Sequence, residues 1–274
     1  MDHEARLARL LDALKETLPG LPGFQSLSLF GSMAEGRADG CSDIDLIATT
    51  DDLPGAKTAL LGLLEQIGPI EFCWAINLRP DEWNPTIVFH DEGYYHKLDL
   101  GLTDARAVDR TIPAEQTTLL IEVPGAATCA VRECRAYVPL EGSLSHFLLG
   151  QYIGCTRYLK ARKRGQTMTC YRFAAAAVDW QLALMYARLT EDAGRRSKLS
   201  TDDYRKLDGL LSADDQAALL RGLDFSSLPA MDSNVRAAMS SMLKDALHLA
   251  AISGEEFPTE VFERMCAFVA EELQ

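Results

Sequence analysis

Two aspartates one residue apart, Asp43 and Asp45, open an apolar run within the segment LFGSMAEGRADGCSDIDLIA at residues 29–48. On a strand, side chains at i and i+2 point to the same face, roughly 6–7 Å apart along the chain. Carboxylates so spaced suit divalent cations, and hard oxygen ligands favour magnesium. The preceding apolar run ends in Gly31-Ser32, with ten residues between Ser32 and Asp43. A glycine at a strand end lets the backbone approach a phosphate closely, and the hydroxyl and amides that follow can donate to its oxygens. A third carboxylate, Asp99, stands in the text IVFHDEGYYHKLDLGL, on a later predicted strand. Three carboxylates can hold two metal ions about 3.5–4 Å apart, which stabilise the attacking and leaving oxygens of a displacement at phosphorus. Such transfer requires charge neutralised on the transferring group and a nucleophile held in line.

Periodicity supplies the elements that must position these residues. Leu7, Leu10, Leu11, Leu14 and Leu18 fall at helical spacing, and Pro19-Gly20 follows them. Strands are predicted at 26–30, 43–49, 70–78, 86–90, 95–102 and 117–123, with an amphipathic helix at 56–67 between Pro54-Gly55 and Gly68-Pro69. In the strand at 95–102, Tyr95, Lys97 and Asp99 share a face, so Lys97 either meets a phosphate or pairs with a carboxylate, the ion pair being favoured. Beyond residue 143 the pattern turns helical: an apolar stripe at 147–160, a segment at 174–189 apolar nearly all round, a helix start at Ser200, and amphipathic stretches at 234–251 and 259–273. The fold class expected is α+β, a mixed sheet flanked by helices at residues 1–135 followed by an all-α bundle at 136–274.

The charge is uneven. Residues 1–140 carry 22 acidic against 11 basic residues, and residues 141–274 carry 18 against 16, within a net charge of −13. So acidic a first half repels a polyanion, which excludes bulk nucleic-acid binding, and attracts metal ions and cationic small molecules. Against this background the basic stretch holding Arg157, Lys160, Arg162, Lys163, Arg164 and Arg172 either grips a triphosphate or caps a solvated helix end. No run of 18 apolar residues suggests a membrane span, the amphipathic N-terminus lacks a signal-peptide core, and seven scattered cysteines contain no CxxC pair. A cytoplasmic protein with reduced thiols and no membrane partner is expected.

The joined pattern, Gly31-Ser32, Asp43-x-Asp45 and the later Asp99, resembles the DNA polymerase β-like nucleotidyltransferase superfamily, and within it the bacterial aminoglycoside and lincosamide nucleotidyltransferases. The resemblance covers about the first 105 residues; the helical remainder fits in size and class and carries no matching motif. It implies transfer of a nucleoside monophosphate from a nucleoside triphosphate, ATP foremost, to a hydroxyl of a small cationic antibiotic, with two Mg2+ ions. Asp43 and Asp45 would serve both ions, and Asp99 the ion that activates the acceptor hydroxyl. Gly31, Ser32 and Ser42, with Lys160 from the basic stretch, would meet the triphosphate, while the helical domain would complete the acceptor cleft. Glu71 is a substitute third ligand, and Glu122, Glu141 and Asp179 are candidate general bases between which the sequence does not choose. Trp74, Trp83, Tyr94 and Tyr95 either line an acceptor pocket or pack a core. A homodimer is compatible with the sequence. Two other functions share these features: nucleotidylation of a protein or tRNA in a toxin–antitoxin-like system, and a nucleotide-sensing domain without catalysis.

Overall fold

Alternation of apolar and polar residues decides where the sheet turns its two faces. Ile44, Leu46 and Ala48 are buried completely on one side of a strand whose other side carries Asp45. Leu98, Leu100 and Leu102 do the same beside Asp99. Around Asp45 and Asp99 burial thus alternates with a period of two, as a strand covered on one face requires, while further along Ile47, Thr49 and Thr103 are buried on the second face as well. The cover comes from α1 (His3–Thr17), through Leu7, Leu10 and Leu14, and from α3 (Leu53–Leu64), through Leu53, Ala56, Leu60 and Leu64. Both helices and the sheet share a single core.

In the computed structural model, residues 3–76, 81–107, 117–124, 143–195 and 197–274 are described. Cys129, Cys134 and Glu141 lie outside them. The chain divides into two compact units, Met1–Val138 and Pro139–Gln274. In the first, β1 (Phe24–Phe30), β2 (Ile44–Thr50), β3 (Ile70–Ile76), β4 (Glu82–Phe89), β5 (Leu98–Asp104) and β6 (Thr118–Glu122) form one sheet in the order β3-β4-β5-β2-β1-β6. The β2–β5 pair is parallel and the others are antiparallel, so the sheet is mixed, as expected.

Of the boundaries that depart from the sequence reading, three in the first unit do so for a clear local reason. Helix α3 begins three residues before the predicted start, because Pro54 sits in its first turn, where no amide donor is needed, and Asp52 accepts from the Gly55 amide at 3.0 Å. Strand β4 begins before Pro85 rather than after it. Its ladder to β5 runs Glu82/Thr103, Trp83/Leu102, Thr86/Asp99 and Ile87/Leu98, and the step between falls on Asn84 and Pro85, whose ring nitrogen has no proton to give. Strand β5 begins at Leu98, not at residue 95, because a turn claims the preceding backbone: the His96 amide donates to Gly93 O at 3.2 Å.

The second unit is helical: α4 (Leu144–Lys163), α5 (Thr167–Leu189), α6 (Thr201–Leu210), α7 (Ala213–Gly222), α8 (Leu228–Ser253) and α9 (Thr259–Glu272). The long α5 packs along α8 and α4, burying Ala174, Ala177, Val178 and Leu184, in keeping with its apolar sequence. Tyr152 and Tyr158 of α4 are fully buried, their hydroxyls donating to Met239 O at 2.9 Å and to Asp232 at 2.6 Å. Among the described residues no helix is long and apolar enough to cross a membrane.

Candidate metal and nucleotide site

Register creates the site. In the parallel β2–β5 pair Asp45 stands directly opposite Asp99, and on the other side of β2 Asp45 pairs with Phe30, the residue before Gly31. Asp43 precedes β2 by one residue and shares the face of Asp45. Among the described residues, Asp43, Asp45 and Asp99 form a group able to hold a metal ion, with one carboxylate oxygen from each lying within 4.8 Å of the others. Carboxylate oxygens are the donors that magnesium takes, and crowding three of them without a cation is electrostatically unfavourable. The donor set therefore fits a divalent ion.

Gly31 opens α2 (Gly31–Ala34), a single helical turn, at φ 69°, a conformation that side-chain-bearing residues rarely adopt. A Cβ there would lie 2.2 Å from Asp45 Oδ2. Glycine is thus required twice, by the backbone and by the carboxylate beside it. Ser32 Oγ donates to Ser42 Oγ at 3.2 Å, and Ser42 Oγ donates in turn to Asp39 Oδ1 at 3.1 Å. The Asp39 amide returns to Ser42 Oγ at 2.9 Å, and the Cys41 amide donates to Asp39 Oδ1 at 3.0 Å. Ser42 is completely buried, so its hydroxyl ties the turn before Asp43 to Ser32.

Two further residues hold Asp99. Thr86 Oγ1 donates to Asp99 Oδ1 at 2.5 Å from the neighbouring β4. Lys97, only 2% exposed, pairs with Asp99 Oδ2 and lies 2.6 Å from Asp43 Oδ2. This is the ion pair favoured from the shared face. Burial works against the ammonium, but the charges and hydrogen bonds of Asp99 and Asp43 outweigh it and hold the Lys97 pKa above its ordinary value. Sequence reasoning missed Thr86 and Asp39. The Asp39-Gly40 pair carried a turn signal, whereas Thr86 meets Asp99 only through a cross-strand register that no local pattern encodes.

The remaining candidates stand on other elements. Glu71 lies on β3, two strands from β5, with Tyr94 Oη donating to it at 3.3 Å. Glu122 pairs with Ser26, at the end of β1 remote from Asp45. Asp179, a candidate general base, pairs with Lys198 at 2.6 Å on a half-exposed face of α5. Lys160 belongs to the helical unit, buried on α4. Of the basic stretch around it, Arg162 is spent on Asp232 at 3.2 Å and Lys163 on Glu272. Trp74 and Tyr95 are buried, and Trp83 packs against the sheet core.

No family model matches the chain, and comparison with curated proteins gives no match. Among solved structures, it is similar to an aminoglycoside 6-adenyltransferase from Bacillus subtilis, at 14% identity over 96% of this chain and 97% of that one, with a TM-score of 0.38. It is also similar to a STING-associated CdnE c-di-GMP synthase from Capnocytophaga granulosa, at 15% identity over 98% and 81% of the two chains, with a TM-score of 0.29. At these TM-scores the likeness adds nothing to what the site's own geometry supports.

Proposed function

We propose that this protein is a metal-dependent nucleotidyltransferase that moves a nucleoside monophosphate from a nucleoside triphosphate, ATP foremost, to a hydroxyl of a small cationic acceptor of the aminoglycoside type. The observation that carries the reading is the parallel pairing of Asp45 with Asp99, Asp43 beside them, against a glycine that must stay a glycine. Asp43, Asp45 and Asp99 would hold the divalent ions, which when bound would neutralise the transferring phosphoryl group and make the acceptor hydroxyl easier to deprotonate. Thr86 keeps the Asp99 carboxylate turned towards its partners. Gly31 lets the backbone come close to a polyphosphate, and the Ser42–Ser32 bond fixes where the Ser32 hydroxyl lies. Net negative charge in residues 1–140 supports the choice of a cationic acceptor over a nucleic acid.

The test is a mass-spectrometric screen of each of the four nucleoside triphosphates with Mg2+ against a panel of aminoglycosides, lincosamides, proteins and tRNA, read with pyrophosphate release. A nucleotidylated aminoglycoside supports the reading, and Asp45→Asn should abolish its formation while leaving the melting curve nearly unchanged. Undiminished turnover in that variant would overturn the metal assignment. Label on a protein or tRNA alone would move the acceptor to a macromolecule. Nucleotide binding with no product from any acceptor would leave a sensor.

A further inference from the structure

Lys97 is unusual in where its charge ends. Its side chain is buried to all but 2%, and its ammonium contacts carboxylates of two of the three candidate metal ligands, Asp43 and Asp99. Three carboxylates whose oxygens gather within 4.8 Å repel one another, and the Lys97 ammonium is a cation in contact with two of them. It touches Oδ2 of Asp43 and Oδ2 of Asp99, oxygens that a cation shared by the two residues would also seek. A divalent ion at that point would meet a like charge at contact distance, an arrangement strongly disfavoured away from bulk water. Lysine can resolve the conflict, because its charge sits on a flexible four-carbon stem that withdraws without moving the backbone.

We propose that Lys97 is a built-in stand-in for the metal: its ammonium holds Asp43 and Asp99 together in the metal-free protein and is displaced when a divalent ion binds. The inference rests on reading the triad as a metal centre. It goes beyond that reading by making metal loading an exchange of cations instead of the filling of an open site. The exchange keeps the carboxylates close before any metal arrives, and it lowers the affinity for metal by the two ion pairs that must be given up.

Mn2+ binding, followed through loss of the free-ion electron paramagnetic resonance signal, tests it on wild type, Lys97→Met and Asp45→Asn. Lys97→Met, which keeps the length and removes the charge, is expected to bind Mn2+ roughly tenfold more tightly than wild type, and Asp45→Asn more weakly. Its metal-free form should also melt lower than wild type, with the gap closing at saturating Mn2+. Binding by Lys97→Met that is equal to or weaker than wild type would overturn the exchange and leave the metal centre standing. No Mn2+ binding by wild type or Lys97→Met would overturn the metal centre and the exchange with it. A second measurement uses the wild-type protein alone: labelling of Lys97 by an amine-reactive reagent, read by peptide mass spectrometry, should rise several-fold on Mn2+ saturation. Protection unchanged at saturation would likewise overturn the exchange.

Discussion

At Gly31 a single missing atom serves two purposes, and they can be separated by experiment. A Cβ would meet Asp45 Oδ2 at 2.2 Å, and the φ of 69° adds backbone strain of about 1–2 kcal/mol. Gly31→Ala should therefore lower stability modestly, while pushing aside a carboxylate whose position sets metal affinity. The expected outcome is a small fall in melting temperature with a much larger loss of Mn2+ binding and turnover. Thr86→Val makes the opposite case, removing a hydroxyl without changing shape. The Asp99 carboxylate then loses one of the two groups that orient it, and a fall of about 10–100-fold in metal affinity or activity is expected. Retained affinity in Thr86→Val would show that the Thr86 hydroxyl is not needed to orient Asp99 for the metal. Asp43, Asp45 and Gly31 stood out in the sequence because residue types within one short segment are local properties, whereas Asp99, on a later strand, was singled out through the joined pattern that resembles a known superfamily. Thr86 was not, since it lies 13 residues from Asp99 and reaches it across a ladder.

Elements were legible where a burial pattern spans several turns or alternations, and less so where a proline intervenes. The apolar text of α5 announced a buried helix, and the serine at 200 announced the start of α6. Pro54 and Pro85 misled in opposite settings: the first is accommodated in a first helical turn, the second in a strand whose ladder to one neighbour skips it. Helix α7 was not anticipated from the sequence. The start of α6 offers a prediction at this scale. Ser200 Oγ accepts from the Asp203 amide at 3.2 Å, and the Asp203 carboxylate accepts from the Ser200 amide at 2.9 Å and from Arg195 at 2.7 Å. Bonds from the Ser200 amide first, then the Ser200 hydroxyl and Arg195, hold the Asp203 pKa well below the usual carboxylate range. A carboxylate depressed in the folded state stabilises the fold above its unfolded pKa of about 3.9, and that contribution is lost as pH falls through the lower folded value. Asp203→Ala should thus melt below wild type by its full deficit at pH 6, with the difference shrinking as the pH drops under about 3.9. A deficit independent of pH in paired thermal scans would assign the effect to packing instead.

Over the whole molecule the charge distribution is the property that bears on the acceptor. Residues 1–140 contain twice as many acidic as basic residues, an excess far larger than the three aspartates of the site can account for. Divalent ions bound at the triad would offset part of the local charge, but the remaining acids would still set a negative potential over the surface of this unit. A cationic acceptor is drawn in by such a field and a neutral one is indifferent to it. Screening shortens the reach of the field to about 8 Å at physiological ionic strength and to about 3 Å at 1 M. For a multiply charged aminoglycoside, kcat/KM should accordingly fall steeply as inert salt is raised at fixed nucleotide and Mg2+. The decline should reside in KM, because salt screens the long-range approach of the acceptor more than charges already in contact at the site. A lincosamide with one amine should show a much shallower slope on the same enzyme. Equal slopes for the two acceptors would mean that the acidic excess serves solubility alone, and would remove charge as a reason for choosing the aminoglycoside.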